Sequence, residues 1–328
     1  RQNIKFYKNI KTEMRIFYFI NDVAYFKYTI MAGEGDREIA FSRQINNGLL
    51  KKLYRYHNAW SINRVFELPF RHHWLNFLMG DYKADDSEEL YFIMSEPYYL
   101  SYSKKSISVL RRKFPKAKIC LLLVNPIDDG ILERVNYIRE SYNSIITFNK
   151  SDAIKYGLLY NEVFPFKLPI LQNDNLEESD VFFVGADKGR LELLLKLYDK
   201  LTSLGYKCNF HITEVPVDKQ VVKEGITYNG WMNYETVLKY TEKTKCVLEY
   251  IKGDYISQRT QEALTYHKKI ITTNKGAKDL PYYGKMIFLL EDIDNMDFSF
   301  IRKKVDDSEY EKYIDFRNFD SFKSFLKD

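Results

Sequence analysis

At 328 residues, 45% of them hydrophobic and 29% charged, the chain exceeds the size at which one core stops growing, so two domains of about 150 residues are expected. No window approaches the roughly 20 uninterrupted apolar residues of a membrane-spanning helix. The formal charge of +5 comes with no recognition-helix signature, zinc spacing or RNP-like run, which argues against nucleic acid as a partner.

Cys120, Cys208 and Cys246 each lie in or beside an apolar run without metal-ligand spacing, and they read as reduced core thiols of a cytoplasmic protein. No charged and apolar leader pattern opens the sequence, which begins at Arg1, so an earlier removed leader stays open. Aromatics reach 16%, with 27 tyrosines. With the basic balance, they fit a solvated Lys- and Tyr-rich surface, an anionic membrane surface or a nucleotide substrate.

In chain order, "RIFYFI" (15–20) reads as a strand, and 21–83 carries no clear periodicity. Within that stretch, "GEGDRE" from Gly33 imitates a dinucleotide fingerprint without its third glycine, and "PFRHHWLNF" places His72 and His73 on a helix-like segment as surface or satisfied histidines. Next come the strands "ELYFIMSEP", "AKICLLLVNPIDD" and "SIITFNK", separated by the helices "KKSISVLRRKF" and "ILERVNYIRES". The aperiodic run 169–179 reads as a linker.

A clearer alternation follows. "DVFFVG", "YKCNFHIT", "GITYNGW", "KCVLEYI", "KKIITTN" and "KMIFLLEDID" are strands, with helices such as "RLELLLKLYDKLTSLG" between them, stopped by Gly205, and "NYETVLKYTEKT", capped by Asn233. Short strands separated by helices of about 10–15 residues imply βαβ units and parallel sheets. The fold class expected is α/β, with two Rossmann-like domains, residues 1–172 and 173–328, facing across a cleft.

Open parallel sheets bind ligands at the carboxyl ends of their strands, so strand-to-helix loops are where function belongs. In "VGADKGRLELL", Gly185 and Gly189 allow close backbone approach, the helix N-terminus offers N–H groups, and Lys188 and Arg190 add charge suited to phosphate. An ordinary tight turn with solvated charges explains the same residues. In "SQRTQEALTYHKKIITTN", Arg259 falls in the first turn of a helix and Glu262 one turn later. That spacing suits a guanidinium on a diphosphate and a carboxylate on ribose hydroxyls, or an intrahelical ion pair.

The succession "FFVGADKGRLELL", "YNGWMNYETVLKYTEKTKCVLEYI", "RTQEALTYHKKIITTN" resembles the donor-binding half of GT-B glycosyltransferases, especially bacterial ones that assemble capsule, lipopolysaccharide or other surface glycans. The likeness spans roughly Val181 to Leu290, and the first half is similar in rhythm only. It implies a metal-independent hexosyltransferase that needs no cofactor and uses a nucleoside-diphosphate-sugar as substrate. By resemblance, Glu262 would hold the ribose, Arg259 and Thr260 the diphosphate at the helix opened by Ser257, and Gly185, Lys188 and Arg190 the phosphate or sugar end. Tyr228, Asn229 and Gly230, with Trp231, would lie near the base. A glycine-rich approach to the helix is reduced to Gly253, and a second acid found upstream in retaining relatives appears as Asp254, so stereochemistry stays open.

The same resemblance implies a glycan or lipid-linked glycan acceptor, peripheral contact at the inner membrane face and a last helix that packs back on the first domain, beside the absence of nucleic acid expected from the missing motifs and the cytoplasmic location expected from the thiols. An inverting transfer needs a general base near the acceptor. Glu96, directly after an apolar run, is preferred over Asp128, Asp129, Glu34 and Asp36, against its reading as a turn acid. Asp292 and Asp294 in "EDID" imitate a metal motif but read as loop acids. The terminal "YIDFRNFDSFKSFL" fits a membrane-surface stripe or a packed tail. The rival functions are an inactive GT-B-like scaffold or binding subunit and a nucleotide-sugar epimerase.

Overall fold

In a computed structural model of the chain, the residues described are 13–20, 32–40, 45, 47–63, 65–66, 68–85, 88–96, 104–161, 167–168, 171, 175–251, 253, 255–316 and 318–328. By contacts the chain divides into two units, Arg1–Asn161 with Lys323–Asp328, and Glu162–Phe322. The join expected at 172 falls in 162–174, most of which lies outside the described residues. Each unit is a parallel-sheet α/β domain.

The first unit holds β1 (Glu13–Ile20), β2 (Arg37–Ala40), β3 (Glu88–Ser95), β4 (Lys118–Leu122), β5 (Ser144–Thr147) and β6 (Leu159–Tyr160), parallel and ordered β2-β1-β3-β4-β5-β6. Its central strands read as near-continuous apolar runs because both faces are covered. Phe17 stands opposite Phe92 in the β1–β3 register, and both are buried with Leu121 and Val135. Asp128 accepts from Ile131 N at 2.8 Å and so caps the Asp129–Ile138 helix, a turn acid's role. In the stretch that shows no sequence pattern lie β2 and the helices Gly48–His57, Trp60–Asn63 and His73–Met79.

The second unit holds β7 (Ser179–Ala186), β8 (Cys208–Thr213), β9 (Ile226–Tyr228), β10 (Thr244–Glu249), β11 (Lys269–Thr272) and β12 (Ile287–Leu289), all parallel and ordered β12-β11-β10-β7-β8-β9. Counted within the unit, this is the 3-2-1-4-5-6 order of doubly wound sheets, whose connections reverse between the first and fourth strands. Here that reversal falls between β7 and β10. The three cysteines are buried, and burial pushes the Cys208 thiol up to about 12 and Cys246 higher still, which leaves them protonated packing residues.

The terminal aromatic stripe turns inward. Of its residues, Tyr313, Phe322 and Leu326 are buried, Tyr91 Oη donates to Leu326 O at 3.0 Å, and Lys323 pairs with Asp36 at 3.1 Å. Asp292 and Asp294 likewise serve the fold: Asp292 accepts from Asp294 N and Asn295 Nδ2, and Asp294 pairs with Lys196 at 2.6 Å.

Candidate functional site

The reversal between β7 and β10 brings two loops to the carboxyl edge of the second sheet: 186–190 after β7, and the segment that enters the Gln258–Thr265 helix after β10. Arg190 bridges these two strand ends. Its Nε donates to Ala186 O at 2.8 Å and its Nη1 to Tyr250 O at 3.0 Å, while the guanidinium lies 5.1 Å from the Phe183 ring and 5.2 Å from that of Tyr250. Burial lowers its pKa, and the Tyr250 and Asp187 groups oppose that shift.

Gly185 is explained by this bridge. A Cβ there would sit 2.7 Å from Arg190 Nη2, so the glycine makes room for the guanidinium. The amides at the start of the Leu191–Ser203 helix are engaged by an unforeseen residue, Asp187, whose Oδ1 accepts from Arg190 N at 2.9 Å and Leu191 N at 2.7 Å. Lys188, exposed at the loop tip with φ 45°, and Gly189, with φ 77°, carry the left-handed turn between strand and helix. For Lys188 that backbone is unfavourable, and the Asp187 bonds around it hold the turn.

On the edge strand, Tyr228 Oη accepts from Val221 N at 3.3 Å. Asn229 pairs twice with the Val215 backbone, at 3.0 and 2.8 Å, and Gly230 lies where a Cβ would be 3.2 Å from Thr227 Cγ2. These residues lock a turn, beyond which Trp231 stands 86% exposed.

The Gln258–Thr265 helix carries the densest polar cluster. Ser257 is its N-cap, accepting from Thr260 N at 3.2 Å. Glu262 is 0% exposed. Its Oε1 accepts from Tyr234 Oη and from Gln258 Nε2 at 2.6 Å, and its Oε2 from Arg259 Nη1 at 2.6 Å. Arg259 and Glu262 thus meet each other, the ion pair their spacing also allowed, and Arg259 keeps a quarter of its side chain in solvent.

Behind this face lies Glu249, also absent from the sequence-based candidates, buried at the end of β10. Ser257 Oγ and Thr260 Oγ1 donate to its Oε1, the latter at 2.8 Å, and Thr272 Oγ1 donates to its Oε2 at 2.6 Å. Thr260 therefore faces inward. A carboxylate closing an apolar strand run, with hydroxyls 8 and 11 positions later, was the only available signal, and it is faint. Asp254 lies outside the described residues.

Glu96 follows β3 in the first unit, where its N–H donates to Leu122 O at 2.8 Å. Its carboxylate accepts from Val124 N at 3.2 Å and from Asn125 Nδ2 at 3.1 and 2.9 Å. Burial raises its pKa above the usual 4.5, against the lowering effect of those bonds. Folded Glu96 therefore holds a proton at pH values where the unfolded chain has lost it, and the wild type gains stability as pH falls from the raised value toward about 4.5. Glu96→Gln cannot take up that proton. The stability of the variant minus that of the wild type is expected to decline over that window in urea titrations, and a flat difference would refute the assignment.

No protein-family model and no curated protein matches the sequence. Among solved structures, the chain is similar to the glycotransferase of kitacinnamycin at 9% identity over 94% of both chains, with a TM-score of 0.45. It is similar to an alpha-glucosyltransferase in complex with UDP and a 13-mer DNA at 11% identity over 94% of this chain and 92% of that one, TM-score 0.47. To the glycosyltransferase SnogD from Streptomyces nogalater the identity is 11% over 93% and 94%, TM-score 0.40. Likeness at this level concerns the path of the chain and bears on neither substrate nor reaction.

Proposed function

We propose that the chain is a glycosyltransferase of the GT-B kind that binds a nucleoside-diphosphate-sugar at the carboxyl edge of the second sheet and transfers its sugar to a glycan acceptor. The observation that carries this reading is the cluster of Gln258, Arg259 and Glu262 on the helix that follows β10 at the reversal of strand order, joined by Tyr234 from the Tyr234–Lys243 helix before β10. A partly exposed guanidinium on a buried carboxylate can exchange partners. Arg259 turns to the diphosphate, and Glu262, still oriented by Tyr234 and Gln258, accepts from ribose hydroxyls. Lys188 at the neighbouring loop tip supplies further positive charge for phosphate or departing nucleotide. Glu96, whose raised pKa suits proton acceptance nearer neutrality, is the base proposed for an inverting transfer. The acceptor class proposed is a surface or lipid-linked glycan, and the chemistry is proposed to need no metal.

A second reading, a binding subunit without turnover, is favoured by the internal engagement of Glu249 and Glu262, the two buried carboxylates at this edge of the sheet. Incubating the protein with a panel of nucleotide-sugars, with glycan acceptors and a DNA duplex in separate arms, separates the possibilities. The transferase releases nucleoside diphosphate with one donor and more of it with its acceptor. An epimerase alters the sugar without releasing nucleotide, and the binding subunit turns over none of the panel. Either of the latter results overturns the proposal.

A further inference from the structure

The first unit presents an apolar surface that its own core does not use. On the Gly48–His57 helix, Tyr54 packs inward, edge-on to Trp74 at 5.3 Å, while Leu49, Leu53 and Tyr56 form an outward stripe at helical spacing, with Leu49 76% exposed. Trp74 Nε1 donates to His57 Nδ1 at 2.9 Å and Asn63 Nδ2 to His57 O at 2.7 Å. These bonds tie the helix to the segments that bear Val65, 81% exposed, and Phe66 and Phe70, also exposed. Phe70 holds φ 63°, a backbone state unfavourable for a bulky residue, and in it the ring is 70% exposed. Local strain that leaves an aromatic ring in water points to a surface built to meet something.

Charge identifies what it meets. The Gly48–His57 helix holds Lys51, Lys52 and Arg55 and no acid, while Arg71, further along the chain, is buried and adds no charge to this face. On the helix, Lys52 and Arg55 are exposed and flank the apolar stripe on one side. Long basic side chains beside leucine and aromatic side chains are the pattern of a helix lying in a bilayer interface, with apolar groups in the acyl boundary and cations at the headgroups. A second copy of this chain docking patch to patch would set like charges against each other, which disfavours a symmetric dimer.

We infer that the face formed by the Gly48–His57 helix with Val65, Phe66 and Phe70 docks on an anionic lipid surface. This inference is independent of the donor-site reading, since it concerns the first unit alone and needs no nucleotide. The test is co-sedimentation of the full chain with vesicles of neutral phosphatidylcholine and with vesicles that also contain phosphatidylglycerol. Binding is expected only to the anionic vesicles and should weaken as salt is raised. Leu49→Ser with Leu53→Ser should lower partitioning by about a hundredfold, and Lys52→Glu with Arg55→Glu by at least about tenfold. These exposed positions leave the core intact, and an unchanged far-UV circular dichroism spectrum confirms folding. Three results overturn the inference: no anionic preference, variants that bind as wild type does, or no vesicle binding with a concentration-dependent dimer in sedimentation velocity that the leucine pair abolishes.

Discussion

Arg259→Ala and Glu262→Ala are each expected to weaken UDP binding by roughly ten- to hundredfold, since each removes a charge-assisted hydrogen bond of about 1.5–3 kcal/mol. The two losses have different origins. Arg259→Ala removes the cation for the diphosphate and also frees Glu262 from its present partner at 2.6 Å. Glu262→Ala removes the ribose acceptor and frees the guanidinium, which then has no internal carboxylate to leave before it meets phosphate. Inorganic pyrophosphate should therefore bind Arg259→Ala more weakly than the wild type, and Glu262→Ala at least as tightly. Because the residues share one contact, the double variant should depart from the sum of the single effects. Isothermal titration with UDP and with pyrophosphate reads all of these quantities. Wild-type UDP affinity in both folded single variants would remove the cluster from the donor site.

Glu249→Ala should cost about 3 kcal/mol of unfolding free energy. Three hydroxyls, from Ser257, Thr260 and Thr272, converge on this buried carboxylate. Removing it strands the buried Thr260 and Thr272 hydroxyls, each at a cost of about 1–3 kcal/mol, while the half-buried Ser257 hydroxyl can turn to water. Relief of the buried charge offsets part of that loss. Glu249→Gln keeps the shape and one acceptor, and hydroxyls can rotate to accept from its amide, so its cost should stay near 1 kcal/mol. Urea unfolding at a constant slope measures both, and an alanine variant as stable as the wild type would show that the hydroxyls do not depend on Glu249. The contacts also join the end of β10, the cap of the Gln258–Thr265 helix and β11. Loosening them should displace Arg259 and Glu262, so Glu249→Ala should bind UDP less well even where it remains folded.

Local and periodic information was sufficient for much of the molecule. The apolar runs that became β3, β4, β7, β10 and β11 are legible because a strand buried on both faces needs apolar side chains at every position. Asn233 and Ser257 cap their helices as their residue types suggest, each accepting from an amide three positions on. The Gly48–His57 helix was missed because its apolar stripe faces outward and only Tyr54 is buried, so its pattern does not mark a core-facing element.

Partner choice was another matter. Gly185 and Arg190 look like separate phosphate contacts in the sequence, but a guanidinium that reaches Tyr250, 60 residues away, makes the glycine a clearance for the arginine. Arg259 and Glu262 stand at a spacing that permits either an ion pair or a shared ligand, and the packing of Tyr234 and Gln258 around the carboxylate sets which arrangement exists in the free protein. By itself, the sequence determined the alternation of strands and helices, the caps and the helix that bears the polar cluster, because periodicity and capping act over a few residues. The tertiary structure alone decided that Tyr234 meets Glu262 and that Thr272 meets Glu249, because these partners stand 28 and 23 residues away and come together only when the Tyr234–Lys243 helix packs on the sheet and β11 aligns beside β10.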